Sequence, residues 1–135
     1  EQPETVKAAN VIALPRVSDK KLLSKYYALG DFFLLTSKKE TFSLVCAESL
    51  ACGTPIIGFD AGAPTEVAPD RYGCFVEYGN LDLLQAALLH GLDNPDDFKS
   101  SQMCAEYAKN NFSKAKMVER YLSAYETLIE NSNLN

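Results

Sequence analysis

The chain has no tryptophan and one histidine, and none of its four cysteines (Cys46, Cys52, Cys74, Cys104) stands in a Cys-x-x-Cys pair. A zinc site or a disulfide-stapled secreted fold would need closer cysteine spacing, so neither is expected. Free thiols suit a reducing compartment, and the expectation is a cytoplasmic protein. Long apolar runs are also missing. The longest strongly apolar stretch is Phe32-Phe33-Leu34-Leu35, far short of the roughly 18 residues that a membrane span needs. The acidic start Glu1-Gln2-Pro3-Glu4 is the opposite of a signal peptide. Positive charge is scarce as well: 13 Lys and Arg face 18 Asp and Glu, for a net charge of −5. The only basic clusters are Lys20-Lys21 and Lys38-Lys39. A nucleic-acid binder needs a basic face to displace counterions, so nucleic acid is not an expected partner. Attraction to an anionic membrane is disfavoured for the same reason.

What remains is an ordinary composition for one soluble domain: 135 residues, 47% hydrophobic and 23% charged. Four short apolar runs read as buried strands: Val11-Ile12-Ala13-Leu14, Phe32 to Thr36, Pro55 to Phe59, and Gly73 to Val76. Helical periods lie between and after them. One opens at Ser18 as N-cap, carries Leu22, Leu23, Tyr26, Tyr27 and Leu29, and closes at Gly30. A second spans Ser43 to Ala51, and a helical turn covers Thr65 to Ala68. Asn80 caps a helix with Leu81, Leu84, Ala87 and Leu88 on one face, ending near His90-Gly91, where a cation suits the dipole. Asn94-Pro95-Asp96-Asp97 reads as a further helix start. Ser113 caps the last helix, with Met117, Tyr121, Ala124 and Leu128 as its stripe. Strand alternating with helix predicts a parallel sheet covered on both faces. In such sheets ligands bind beyond the carboxyl ends of the strands, which directs attention to the loops after Thr36 and Phe59.

The first of those loops leads into Glu40-Thr41-Phe42-Ser43-Leu44-Val45-Cys46-Ala47-Glu48. The amides of Ser43, Leu44 and Val45 would form a first helical turn, where free N–H groups and the helix dipole attract anions. Glu48 lies one turn beyond Leu44 on nearly the same face, where a carboxylate can accept from two vicinal hydroxyls, as on ribose. Glu40 stands across the mouth of the helix, within reach of a sugar. Ala47, Ala51 and Gly53 would let the helix approach the sheet closely. Cys46, although near a helix start, reads as a buried apolar residue. Lys38 and Lys39 read as a solvated turn beside the site.

This segment, continued through Ser49-Leu50-Ala51-Cys52-Gly53-Thr54-Pro55, closely resembles the C-terminal, donor-nucleotide domain of retaining GT-B glycosyltransferases, the group 1 or family four enzymes. The likeness covers residues from about 11 to 128 and includes two glutamates separated by seven residues. An Ala-x-Gly-x-Pro run into a strand and the Gly62, Glu66, Gly73, Gly79 loop pattern belong to it too. The resemblance implies an α/β, Rossmann-like parallel sheet of about four strands with flanking helices, part of a GT-B donor domain. It also implies that Glu40, the catalytic candidate, meets the donor sugar. The backbone from Thr41 and Phe42 through Ser43, Leu44 and Val45 would meet the pyrophosphate, and Glu48 the ribose. The substrate would be a nucleotide-diphosphate sugar, with no cofactor and no metal; the sequence has no Asp-x-Asp motif.

Two positions depart from the pattern: Ser43 replaces a frequent glycine, expected to narrow backbone freedom only slightly, and Asn80 replaces a frequent aspartate. The family's acceptor domain and the first two strands of its donor domain are not in the chain. The expectation is therefore one partial domain over residues 1–135, excised from a longer protein and inactive alone. Its missing half would be supplied in cis or trans and would carry any peripheral membrane attachment. The strand Val11–Leu14 would be left with an exposed edge, a route to self-association. Two other readings stay open: a non-catalytic subunit that docks on a partner, and a flavodoxin-like domain. The latter lacks a flavin loop, an acid cluster and the tryptophan that often stacks on a flavin.

Overall fold

Three of the four apolar runs become strands, and they pair in chain order. The structure, a computed structural model, describes residues 10–132. It contains α1 (Lys20–Leu29), β1 (Phe33–Leu35), α2 (Leu44–Ala51), β2 (Ile56–Phe59) and α3 (Pro64–Val67), then β3 (Gly73–Val76), α4 (Leu81–Asp93), α5 (Ser101–Phe112) and α6 (Lys114–Ser132). The sheet order is β1-β2-β3, all parallel, with Phe33 opposite Ile56 and Ile56 opposite Gly73.

Side-chain alternation sorts the core into two layers. Leu35 and Ile56 pack with Cys46, Ala47 and Leu50 of α2 and with Cys104 and Ala108 of α5. Ile57 and Phe59 point the other way, onto Leu84 of α4, with Phe32, Leu88 and Phe98 around them. β2 is buried at all four positions, as the centre of a doubly covered parallel sheet must be. Leu50, Ile56 and Ile57 are fully enclosed, each worth about 1.5–3 kcal/mol of burial. Gly58 permits the close β1–β2 approach, since a Cβ there would lie 2.6 Å from the Leu35 carbonyl oxygen.

Several expectations are corrected. Val11–Leu14 is not a strand: Val11, Ile12 and Leu14 are exposed, and no described strand lies beside the outer edge of β1 to receive them. An apolar run becomes a strand only where a neighbour supplies its hydrogen bonds. The described sheet therefore has three strands rather than about four, and β1 is its edge, with Leu34 43% exposed. Asp19, not Ser18, caps α1, accepting from the Lys21 and Leu22 amides. α4 continues through His90 and Gly91 to Asp93, because Gly91 is buried where a Cβ would crowd Ile57 and Phe32 at 3.0 Å. Pro95–Asp97 makes only a 3-10 turn, and α5 starts later, capped by the Ser100 hydroxyl on the Met103 amide. Ala51 and Gly53 face α5 rather than the sheet: Ala51 lines the α2–α5 groove, and Gly53 abuts Ser101. The Ser113 hydroxyl does cap α6, accepting from the Lys116 amide. Met117, Tyr121 and Leu128 of the α6 stripe are nevertheless exposed.

Candidate functional site

The loops after β1 and β2 meet at the carboxyl end of the sheet. The Glu40 amide donates to the Ala61 carbonyl at 2.9 Å, and Glu40 forms an isolated parallel bridge with Gly62. Gly62 is held in turn. Its amide donates to Asp60 Oδ1 at 3.1 Å, and its carbonyl accepts from Thr65 Oγ1 at 3.0 Å. Its φ of +98° is a conformation that suits glycine. Glu40 is thus half-buried on a braced backbone.

Thr41 and Phe42 follow as exposed residues, with the Phe42 ring edge-on to Phe112 of α5 at 5.6 Å. Ser43 then enters α2 from the left-handed region, at φ 63° and ψ 71°. A non-glycine residue there costs roughly 1–2 kcal/mol, so the serine is a larger departure than expected. Its hydroxyl does not cap the helix; buried, it donates to Cys46 Sγ at 3.1 Å. The Ser43 carbonyl accepts from the Cys46 and Ala47 amides. The amides of Ser43, Leu44 and Val45 have no acceptor among the described residues. Three N–H groups at the positive end of the helix dipole form an anion-binding arrangement. Leu44 is 68% exposed, so its side chain leaves the helix mouth open.

Burial pushes the Cys46 thiol up, against a lowering by the Ser43 hydroxyl, and the charge of Glu40 adds to the rise. Cys46 is fully buried, as expected for an apolar role. Lys38 and Lys39 are exposed beside the loop.

Glu48 lies on the exposed face of α2. With Leu44, Ala47 and Ala51 it lines a groove of about 350 Å³, closed on the far side by Ala108, Lys109 and Phe112 of α5. From the other side the Tyr27 hydroxyl donates to Glu48 Oε2 at 3.3 Å. Burial, and then the charge and hydrogen bond of Glu48, push the Tyr27 phenol up to about 12. The helical period that carries Tyr26 and Tyr27 beside Leu22 and Leu23 reads as an apolar stripe facing the core. Instead Tyr26 is exposed, and half-buried Tyr27 joins the site. No spacing rule links Tyr27 to Glu48, because they sit on different helices. Lys109 and Phe112 were missed for the same reason.

Residues 4–111 match the family described as glycosyl transferases, group 1. The chain belongs to this glycosyltransferase family. It is 35% identical over 101 residues to an alpha-monoglucosyldiacylglycerol synthase of Streptococcus pneumoniae, covering 73% of this chain and 23% of that protein. It is 38% identical over 63 residues to a GDP-mannose-dependent alpha-mannosyltransferase of Mycobacterium tuberculosis, covering 46% of this chain and 17% of that protein. A protein of 41.2 kDa from the cps region of Klebsiella pneumoniae is 27% identical over 129 residues, covering 92% of this chain and 34% of that protein. The glycosyltransferase chain thus spans about a third or less of the length of these curated relatives. Among its described residues, no helix is long and apolar enough to cross a membrane.

Proposed function

We propose that this glycosyltransferase chain is a partial donor domain of the GT-B type, which binds a nucleotide-diphosphate sugar for retaining transfer of a hexosyl group to an acceptor. The observation that carries the reading is the trio of unpartnered amides at Ser43, Leu44 and Val45, set between Glu40 and Glu48 in a chain of this family. The amides would hold the diphosphate, Glu48 the ribose and Glu40 the sugar. As the anomeric carbon–oxygen bond breaks, its electron pair passes to the departing diphosphate. The amides and the helix dipole would stabilise that charge without rearranging. The reading assigns no metal or cofactor to the site.

The acceptor half would come from another domain of the same protein or from a partner chain, and the 135 residues alone would transfer no sugar. The reading places the reaction in the cytoplasm, at the membrane surface where the acceptor half attaches there. Glycan or polysaccharide synthesis is the setting that suits it. The open β1 edge and the exposed apolar residues of α6 favour a second reading, a non-catalytic subunit that docks on a partner or on a second copy.

The test is a titration of the chain with UDP, GDP and ADP, followed through backbone amide shifts, with Glu48→Ala alongside. Under the first reading the Ser43, Leu44 and Val45 amides shift on ligand addition, and the shifts weaken in the variant. A folded chain that stays silent to millimolar nucleotide would sink the donor-binding reading and favour the docking subunit.

A further inference from the structure

We propose that the Tyr27 hydroxyl is a positioning group for Glu48, holding one carboxylate oxygen so that the other is presented to the vicinal ribose hydroxyls of a nucleoside diphosphate. The inference rests on the ribose role of Glu48 proposed above and names the residue, on a different helix, that aims its carboxylate.

Glu48 stands on an exposed helix face. A free glutamate there samples several rotamers, and a ligand that needs one of them must freeze the rest. Tyr27 reduces that cost because it is itself fixed. Its ring packs edge-on to Phe33 at 5.5 Å, and its carbonyl accepts from Thr54 Oγ1 at 2.7 Å. Those contacts tie α1 to β1 and to the turn after α2. The hydroxyl then reaches Glu48 Oε2 at 3.3 Å. This is long for a hydroxyl donor, so the bond has room to shorten when ligand closes on the carboxylate.

With its ionisation pushed up to about 12, the phenol keeps its proton at neutral pH and acts as a donor. Beyond Glu48 the α2–α5 groove is open. The carboxylate therefore has a fixed donor on one side and ligand-sized space on the other.

The experiment compares Tyr27→Phe, Glu48→Gln and the double variant with the unaltered chain. Tyr27→Phe keeps the ring against Phe33 and removes only the oxygen. In ligand-free protein, three-bond couplings of the Glu48 side chain should show one dominant rotamer, averaged in Tyr27→Phe. The second arm uses GDP, UDP and ADP, each with its 2′-deoxy counterpart. The preference for the ribose form should fall about two- to tenfold in Tyr27→Phe, and Tyr27→Phe should add nothing once Glu48→Gln is present.

If Glu48→Gln loses the preference while Tyr27→Phe keeps both it and the couplings, the tyrosine has no positioning role and the ribose reading survives. If Glu48→Gln keeps the preference, the ribose reading fails and takes this inference with it. The coupling arm needs neither ligand nor variant to be decisive: rotamer-averaged Glu48 in the unaltered chain overturns the proposal.

Discussion

Glu40 and Gly62 are backbone neighbours in parallel register, although they follow different strands. The Glu40 amide is spent on the Ala61 carbonyl at 2.9 Å. The position of the first candidate glutamate is thus set by the loop after β2 as much as by its own loop. An error in either loop moves it.

Gly62→Ala tests that dependence. A side chain at φ +98° is strained, although its Cβ would meet the Glu40 carbonyl oxygen only at an ordinary contact of 3.4 Å. Stability should fall by about 1–2 kcal/mol in urea unfolding. The amide shifts of Glu40 and Ala61 should move while those of α4 stay. A uniform change across the spectrum would mean that the two loops are not locally coupled.

Ser43 offers a second comparison. Ser43→Gly and Ser43→Ala both delete the hydroxyl that donates to Cys46 Sγ. They differ in how they tolerate φ 63°. The glycine variant should be the more stable of the two by about 1 kcal/mol, read as the difference in urea midpoints. Equal midpoints would show that the helix start relaxes out of the left-handed region at little cost.

Cys104 predicts a pH dependence. The side chain is fully buried, and burial pushes its thiol up from the ordinary 9.0 to about 11. The folded state therefore keeps a proton that the unfolded state releases. The resulting stability is complete below pH 9 and is lost as pH rises towards about 11. Urea midpoints across that window should fall more steeply for the unaltered chain than for Cys104→Ala. Parallel slopes would assign the alkaline loss to other groups.

The sheet was legible where an apolar run had a partner. Phe32 to Thr36 contains a strand trimmed by one residue at each end, Pro55 to Phe59 a strand trimmed by one at its start, and Gly73 to Val76 is a strand throughout. Val11–Leu14 is just as apolar and stays out, because composition cannot report whether a neighbouring strand exists. Asn94-Pro95 carried a helix-start signal that was used otherwise. Asn94 Nδ2 donates back to the His90 carbonyl at 3.0 Å, finishing α4 instead of starting α5. Gly91 read as a stop, yet it is the residue that lets α4 lie against Ile57 and Phe32.

At the site, the order strand, loop, glutamate, helix was legible because strand ends and helix starts are local. The left-handed turn at Ser43 was not, since serine before a helix looks like an ordinary cap. Nor was the Tyr27 contact, which depends on how α1 packs beside α2.

The strand order β1-β2-β3 also bears on how the chain assembles. Each strand pairs with the next one in sequence, so both ladders close over about twenty residues of chain. Such short closures keep the cost of the two ladders small, whereas the packing of Leu50 of α2 against Cys104 of α5 joins segments far apart in the chain and has the longer closure to make. The bridge between Glu40 and Gly62 stands apart from these ladders, beyond the end of the first. The loop that braces Glu40 is itself tied to β3, since the Asp60 amide donates to the Val76 carbonyl at 2.7 Å, so the mouth of the candidate site is complete only once all three strands have joined.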